Sequence, residues 1–264
     1  MSQDAANQDS GNWALFLAMD GAFAGNAIAA KDESLPERLK HVLNSLCVRL
    51  DGALALVSGQ RIADLDRLFA PYRFCAAGVH GCETRDPSGC LLEPPKIDTN
   101  SFDVARLILV RLVDRHPALL LQDKRFGLVL DFSRAPHLRV LVRTVMKSVV
   151  EVLGRGFALQ AGEYACEVRP SAWTKATAIA ELMKRRPFHG RTPILVGDDR
   201  SDEDAFAFVN ACQGISVRVG ADSPTLAGHR FACVTDVTEW LSTIPPIAMP
   251  TIAGTGRGWD WTGL

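Results

Sequence analysis

Three times in its first part the chain runs through a short, unbroken apolar segment and stops at a small or polar turn. Trp13 to Leu17 stops at Met19-Asp20-Gly21, Ala53 to Val57 at Ser58-Gly59, and Phe74 to Val79 at His80-Gly81. Runs this short and this apolar read as buried strands. Between them lie helical patterns. Ser34 can cap a helix with Pro36 in its first turn and Leu39, Val42, Leu43, Leu46 and Leu50 along one stripe. Ile62 to Phe69 supplies the next helix. Strand, helix, strand, helix, strand at this spacing predicts a parallel, doubly wound α/β sheet.

The middle of the chain changes character. Phe102 to His116 and Leu138 to Leu153 are helical, whereas Leu119 to Leu121 with Gly127 to Phe132, and Phe157 to Val168 around Ala161-Gly162, read as locally paired strands. Strands that pair with their neighbours around turns make an antiparallel sheet. From Thr174 the parallel pattern returns, with a helix to Arg185, strands Pro193 to Val196 and Ile215 to Val219, a helix from Glu203 to Asn210, and a last strand and helix near Phe231 to Leu241. The expected organisation is a Rossmann-like parallel core made of residues 1–96 and 173–244, with an inserted α+β cap over 97–172. A Pro- and Gly-rich extension follows over 245–264. The length of 264 residues suits such a core with an insertion.

Bulk properties exclude several partners. The net charge of −1 and a charged fraction of 22% offer no basic excess for nucleic acid. No apolar run reaches the ~18 residues of a membrane helix, and the polar start of the chain lacks the basic and apolar regions of a secretory leader. Seven cysteines form no CxxC and no even framework; a Cys82–Cys90 pair across a Pro-Ser-Gly turn is the one local alternative to reduced thiols. A soluble, cytoplasmic protein is expected.

In open α/β sheets chemistry collects at the carboxyl ends of the strands. Here those ends carry Met19-Asp20-Gly21, Ser58-Gly59, and Gly197-Asp198-Asp199 with Asp202-Glu203 beyond. Adjacent carboxylates repel and raise one another's pKa unless a cation lies among them, and an all-oxygen set suits Mg²⁺. The same residues also suit an exposed acidic helix start, where the helix dipole favours carboxylates. Ser58 is either ordinary turn chemistry or an anion donor, and Lys175 either a surface lysine or a point charge for phosphate.

Taken together, the strand ending in xxDG, then LVSGQRIADLDRLF, AAGVHGCETRD, LQAGEYACEVRP, TKATAIAEL and VGDDRSDEDAF resemble the trehalose-6-phosphate phosphatases of the haloacid-dehalogenase (HAD) superfamily. The resemblance covers about residues 13–241, and stretches 54–69, 76–86 and 195–208 are particular to that subgroup. In such enzymes a DxDGT motif supplies a nucleophilic Asp and, two residues on, an acid/base Asp. Mg²⁺ joins that pair to a GDD carboxylate, a Ser and a Lys hold the phosphoryl oxygens, and the cap grips the sugar. Carried over, the resemblance makes Asp20 the acid/base and Ser58 and Lys175 the phosphate clamps. It makes Asp198 the metal carboxylate, with Asp20, Asp199 and Asp202 completing the metal loop. His80, Glu83 and Glu167 become the sugar contacts.

Four positions depart from the pattern. The nucleophile position reads Ala18, the motif's Thr reads Ala22, the cap's usual Gly-Lys reads Gly162-Glu163, and the Asp before the clamp lysine reads Thr174. Glu163 therefore reverses a charge at the expected sugar site. Alanine has no lone pair and cannot form an aspartyl-phosphate. Loss of a nucleophile can cost on the order of 10⁶ in turnover, as in a serine protease. The expectation is a trehalose-6-phosphate phosphatase-like protein with strongly reduced or no activity, weakly bound Mg²⁺, and a sugar phosphate, trehalose 6-phosphate first, as ligand. The alternatives are a non-catalytic sugar-phosphate-binding regulator, a phosphatase for another sugar phosphate, and a module without ligand.

Overall fold

The computed structural model of the chain describes residues 12–20, 35–92, 96, 98–220 and 224–244. The expected cap residue Ser34, the substituted Ala22 and the 245–264 extension lie outside the described residues. In chain order the elements are β1 (Trp13–Ala18), α1 (Glu37–Arg49), β2 (Leu54–Val57), α2 (Ile62–Phe69), β3 (Cys75–Gly78) and β4 (Glu83–Arg85). Then come α3 (Thr99–Arg115), β5 (Leu120–Asp123), β6 (Leu128–Asp131), α4 (Arg139–Leu153), β7 (Phe157–Ala161) and β8 (Ala165–Pro170). The last are α5 (Lys175–Met183), β9 (Thr192–Gly197), α6 (Glu203–Ala211), β10 (Ile215–Val219), β11 (His229–Phe231) and α7 (Val234–Thr243).

The seven-stranded sheet runs β11-β10-β9-β1-β2-β3-β4. Its pairs are parallel except the last, where β4 lies antiparallel on β3. All six residues of β1 are buried, as a central strand covered on both faces requires. Its neighbours β2 and β9 come from opposite ends of the chain, so the order reverses direction at β1. Such a switch point opens a crevice beyond the strand carboxyl ends. Beneath it Phe16 stacks on Phe188 with ring centroids 5.4 Å apart.

β5, β6, β8 and β7 form a separate four-stranded antiparallel sheet with α3 and α4 packed on it. It has its own buried cluster, among them Phe102, Leu109, Leu130, Phe132, Val142 and Met146. Its contact with the main sheet runs through a small apolar seam of Val79, Cys82 and Phe126, with Trp173 against it. The three-residue edge strand β4 was not anticipated, because so short a run carries no periodicity. The seven cysteines are all free thiols, so the Cys82–Cys90 alternative is not realised; Cys82 is buried and Cys90 exposed.

The turn after β3 is a strained stretch near the site. Val79 (φ 47), His80 (φ 56) and Gly81 (φ 104) follow one another in the left-handed region. A β-branched residue there is a genuine outlier, costing about 1–3 kcal/mol. Burial of Val79 in the seam offsets that cost and holds His80 in place. Gly81 has no substitute: a Cβ there would lie 2.8 Å from the Cβ of Ala178 on α5. Gly81→Ala is therefore expected to lower stability by about 1–3 kcal/mol, measured by denaturant unfolding. Unchanged stability would show that turn and helix part freely.

Candidate active site

Four elements bring their ends to the crevice. β1 delivers Ala18 and then Asp20, β2 delivers Ser58, the loop after β9 delivers Asp198, Asp199 and Asp202, and α5 opens with Lys175. Thr174, a departure in the sequence pattern, has a local task. Its hydroxyl accepts from the Thr177 amide at 3.2 Å, and its own amide donates to the Thr177 hydroxyl at 2.9 Å. This reciprocal cap fixes the helix start and so the root of Lys175.

The lysine is the centre of the site. Its side chain is 1% exposed, and Nζ lies 2.6 Å from Asp20 Oδ2 and 2.5 Å from Asp202 Oδ1. Burial would lower its pKa, but the two carboxylates more than offset that and hold it charged, well above the ordinary lysine range. Asp20 Oδ1 in turn accepts from the Ser58 hydroxyl at 2.5 Å and the Gly59 amide at 2.8 Å. Burial pushes the Asp20 carboxyl up. The Lys175 ammonium, with His80 and the Ser58 hydroxyl, overrides this and holds it well below the usual carboxylate range.

The remaining acidic residues divide by what their oxygens touch. Asp202 is spent on structure: Oδ1 holds Lys175, and Oδ2 accepts from the amides of Asp198 and Asp199, each at 2.9 Å. Asp199 caps the short turn through Oδ1 from the Ser201 amide at 2.7 Å. Arg218 braces the loop from β10, donating to the Asp199 carbonyl at 3.3 Å and the Glu203 carboxylate at 3.0 Å. Asp198 Oδ1 is buried without a partner. Burial first, and the nearby Asp202 charge second, push its carboxyl up to about 7.

These donors do not assemble a Mg²⁺ centre by themselves. Among the described residues no three Asp, Glu, His or Cys side chains converge. Ala18 adds no oxygen, both oxygens of Asp20 and Asp202 are engaged, and Asp198 alone offers a buried free oxygen. Asp202 Oδ2 satisfies the Asp198 and Asp199 amides and Asp199 Oδ1 the Ser201 amide, so both carboxylates hold the loop in shape.

Toward the antiparallel sheet, His80 Nε2 lies 3.1 Å from Glu167 Oε2, and Lys124 donates to Glu167 Oε1 at 3.3 Å. Burial would raise the Glu167 carboxyl; its interactions with His80 and Lys124 bring it below the ordinary value. The His80 ring covers Gly59, where a Cβ would meet it at 2.8 Å. His80 therefore links the antiparallel sheet to the Asp20 cluster. Glu83 accepts from the Ile62 amide at 2.9 Å, satisfying the free N–H that opens α2. Glu163 is exposed in the β7–β8 turn, and no hydrogen bond or ion pair joins it to the cluster among the described residues. The sequence points to the backbone N–H groups adjoining Ser58, of which the Gly59 amide is one, but singles out neither Lys124 nor Arg218. Residues far apart in the chain leave no local spacing to read.

A parallel core with a second, antiparallel sheet is a HAD-like fold. The C-terminal domain of trehalose-6-phosphate phosphatase from C. albicans superposes with a TM-score of 0.75 at 18% identity, over 92% of this chain and 96% of that one. A phosphatase of the haloalkanoate (HAD) enzyme superfamily from Bacteroides thetaiotaomicron gives 0.62 at 14% identity, over 90% and 97%. The sequence model of the Trehalose-phosphatase family matches residues 16–232. Trehalose-6-phosphate phosphatase of Escherichia coli (strain K12) is 35% identical over 235 residues, 89% of this chain and 87% of that protein. The chain belongs to the trehalose-phosphatase family.

The Asp198 shift sets a pH dependence. A carboxyl raised on folding destabilises the native state when ionised. The penalty is absent below the ordinary 3.8, grows through the window up to about 7, and is complete above it. With no metal added, Asp198→Asn is expected to be more stable than the parent at pH 8. The gain is about 1–2 kcal/mol after discounting for the group's partial solvent contact, and it closes at pH 4. Thermal melts across that range test it, and equal stability at pH 8 would refute it.

Proposed function

We propose that this member of the trehalose-phosphatase family binds a sugar phosphate, trehalose 6-phosphate first among candidates, and hydrolyses it feebly or not at all. The observation that carries the reading is Ala18. It lies at the carboxyl end of β1, opposite Val57 and fully buried, where the family resemblance places the nucleophile. A methyl group has no electron pair to give phosphorus. Asp20 is a poor replacement, since both its oxygens are held by Ser58, Gly59 and Lys175. In the unliganded chain the same ion pair keeps Asp20 ionised.

Binding is supported by what remains. Ser58, the Gly59 amide and Lys175 converge as hydroxyl, amide and ammonium, the donor set a phosphoryl group needs. We read residues 97–172 as a cap that presents Glu167, and through it His80, to the sugar. The core is then residues 1–96 and 173–244. Glu163, with its reversed charge, would weaken the grip on trehalose 6-phosphate and so could change which sugar phosphate is preferred.

Two measurements test this. In a phosphate-release assay with Mg²⁺ the parent is expected to fall far below an ordinary turnover of about 1–10³ s⁻¹. Ala18→Asp with Ala22→Thr is expected to yield measurable Mg²⁺-dependent hydrolysis, with Glu163→Lys added for trehalose 6-phosphate itself. A parent that turns over at an ordinary rate, or a folded triple variant that stays inert, defeats the reading. In calorimetry, Mg²⁺ alone is expected to bind weakly, because Asp198 is one carboxylate where the ion usually draws on one or two plus phosphate. Tight binding without phosphate would contradict it.

A further inference from the structure

We infer that the Asp20 carboxylate is an internal occupant of the anion cradle formed by Ser58, Gly59 and Lys175, and that an incoming phosphate must expel it. The sugar-phosphate reading supplies only the identity of the incoming anion. The cradle itself rests on geometry. The Ser58 hydroxyl (2.5 Å), the Gly59 amide (2.8 and 2.9 Å) and the Lys175 ammonium (2.6 Å) all point at the two oxygens of this one carboxylate. Those are the donors a bound phosphoryl oxygen would take. With Asp20 in place the Ser58 hydroxyl and the Gly59 amide are taken, and two of the three Lys175 N–H groups are engaged.

Occupation by both anions is excluded electrostatically. The single buried ammonium already faces two carboxylates, Asp20 and Asp202. A phosphate dianion would crowd further negative charge around it, and like charges at this range repel strongly away from water. Asp202 cannot yield, because its second oxygen ties down the Asp198 and Asp199 amides and its side chain is fully buried. Asp20 can. Its side chain keeps 16% of its surface exposed, and its one backbone partner is the Gly59 amide, so it is the more readily displaced of the two. Ala18 brings no second carboxylate to repel Asp20 from the cradle. The occupied state is therefore the resting state, and ligand affinity is reduced by the cost of vacating it.

The test uses inorganic phosphate as probe, titrated calorimetrically at fixed pH into the full chain. Asp20→Ala empties the cradle and is expected to bind phosphate at least tenfold tighter than the parent. Asp20→Asn keeps the shape without the charge and is expected to fall between them, which also covers a poorly folded alanine variant. Adding Ser58→Ala to Asp20→Ala is expected to abolish the gain, locating the bound anion at the cradle. Equal or weaker binding by both Asp20 variants overturns the inference, as does an absence of phosphate binding in every variant. Failure of the functional reading shows elsewhere, as ordinary sugar-phosphate hydrolysis by the parent.

Discussion

One buried ammonium ties this site together. Lys175 stands at the start of α5, after the antiparallel sheet, yet its Nζ joins Asp20 beyond β1 to Asp202 beyond β9. Removing the ammonium would leave two buried carboxylates without a counter-charge, a loss of about 3–5 kcal/mol, whereas removing one carboxylate leaves a one-to-one pair. The three loops are therefore not independent. The reciprocal Thr174–Thr177 cap, which replaces the pattern's acidic residue before the lysine, sets where the ammonium can reach.

Around that charge the carboxylates have unequal tasks. Asp202 feeds loop amides, Asp199 caps a turn, and Asp20 answers Lys175 and Ser58; Asp198 is left with an oxygen that nothing satisfies. That imbalance appears as opposite displacements, with Asp20 held ionised and Asp198 driven up to about 7. A site built for anions and acid/base work commonly separates its carboxylates in this way. Here the separation stands beside a buried methyl group, that of Ala18, at the end of β1.

The link to the second sheet is narrow and polar where it meets the site. Glu167 on β8 touches His80, which in turn covers Gly59 beside Asp20. The left-handed run from Val79 to Gly81 makes this possible by turning His80 back over the crevice. Strain of this kind persists only where packing enforces it, as Val79 in the apolar seam does. A ligand gripped by the antiparallel sheet would be in touch with the cradle through two side chains.

Much was readable from residues alone, because buried strands of a parallel sheet are continuous apolar runs with a polar stop. The strand ends carrying Asp20, Ser58 and Asp198, the helix opening at Lys175, and the change to local pairing in the middle all follow from period and punctuation. The ordered motifs, covering most of the chain, also carried the family. Tertiary structure alone decided which of several similar acidic residues keeps a free oxygen. Asp198, Asp199 and Asp202 look alike in sequence, and only the folded loop shows that Asp202 is taken up by Lys175 and two amides while Asp199 holds one amide through Oδ1. It likewise decided that Glu83 accepts from the first amide of α2, and that β4 exists as an edge strand. Hydrogen-bond ownership and long-range ion pairs depend on where the chain returns in space, and no local spacing records that.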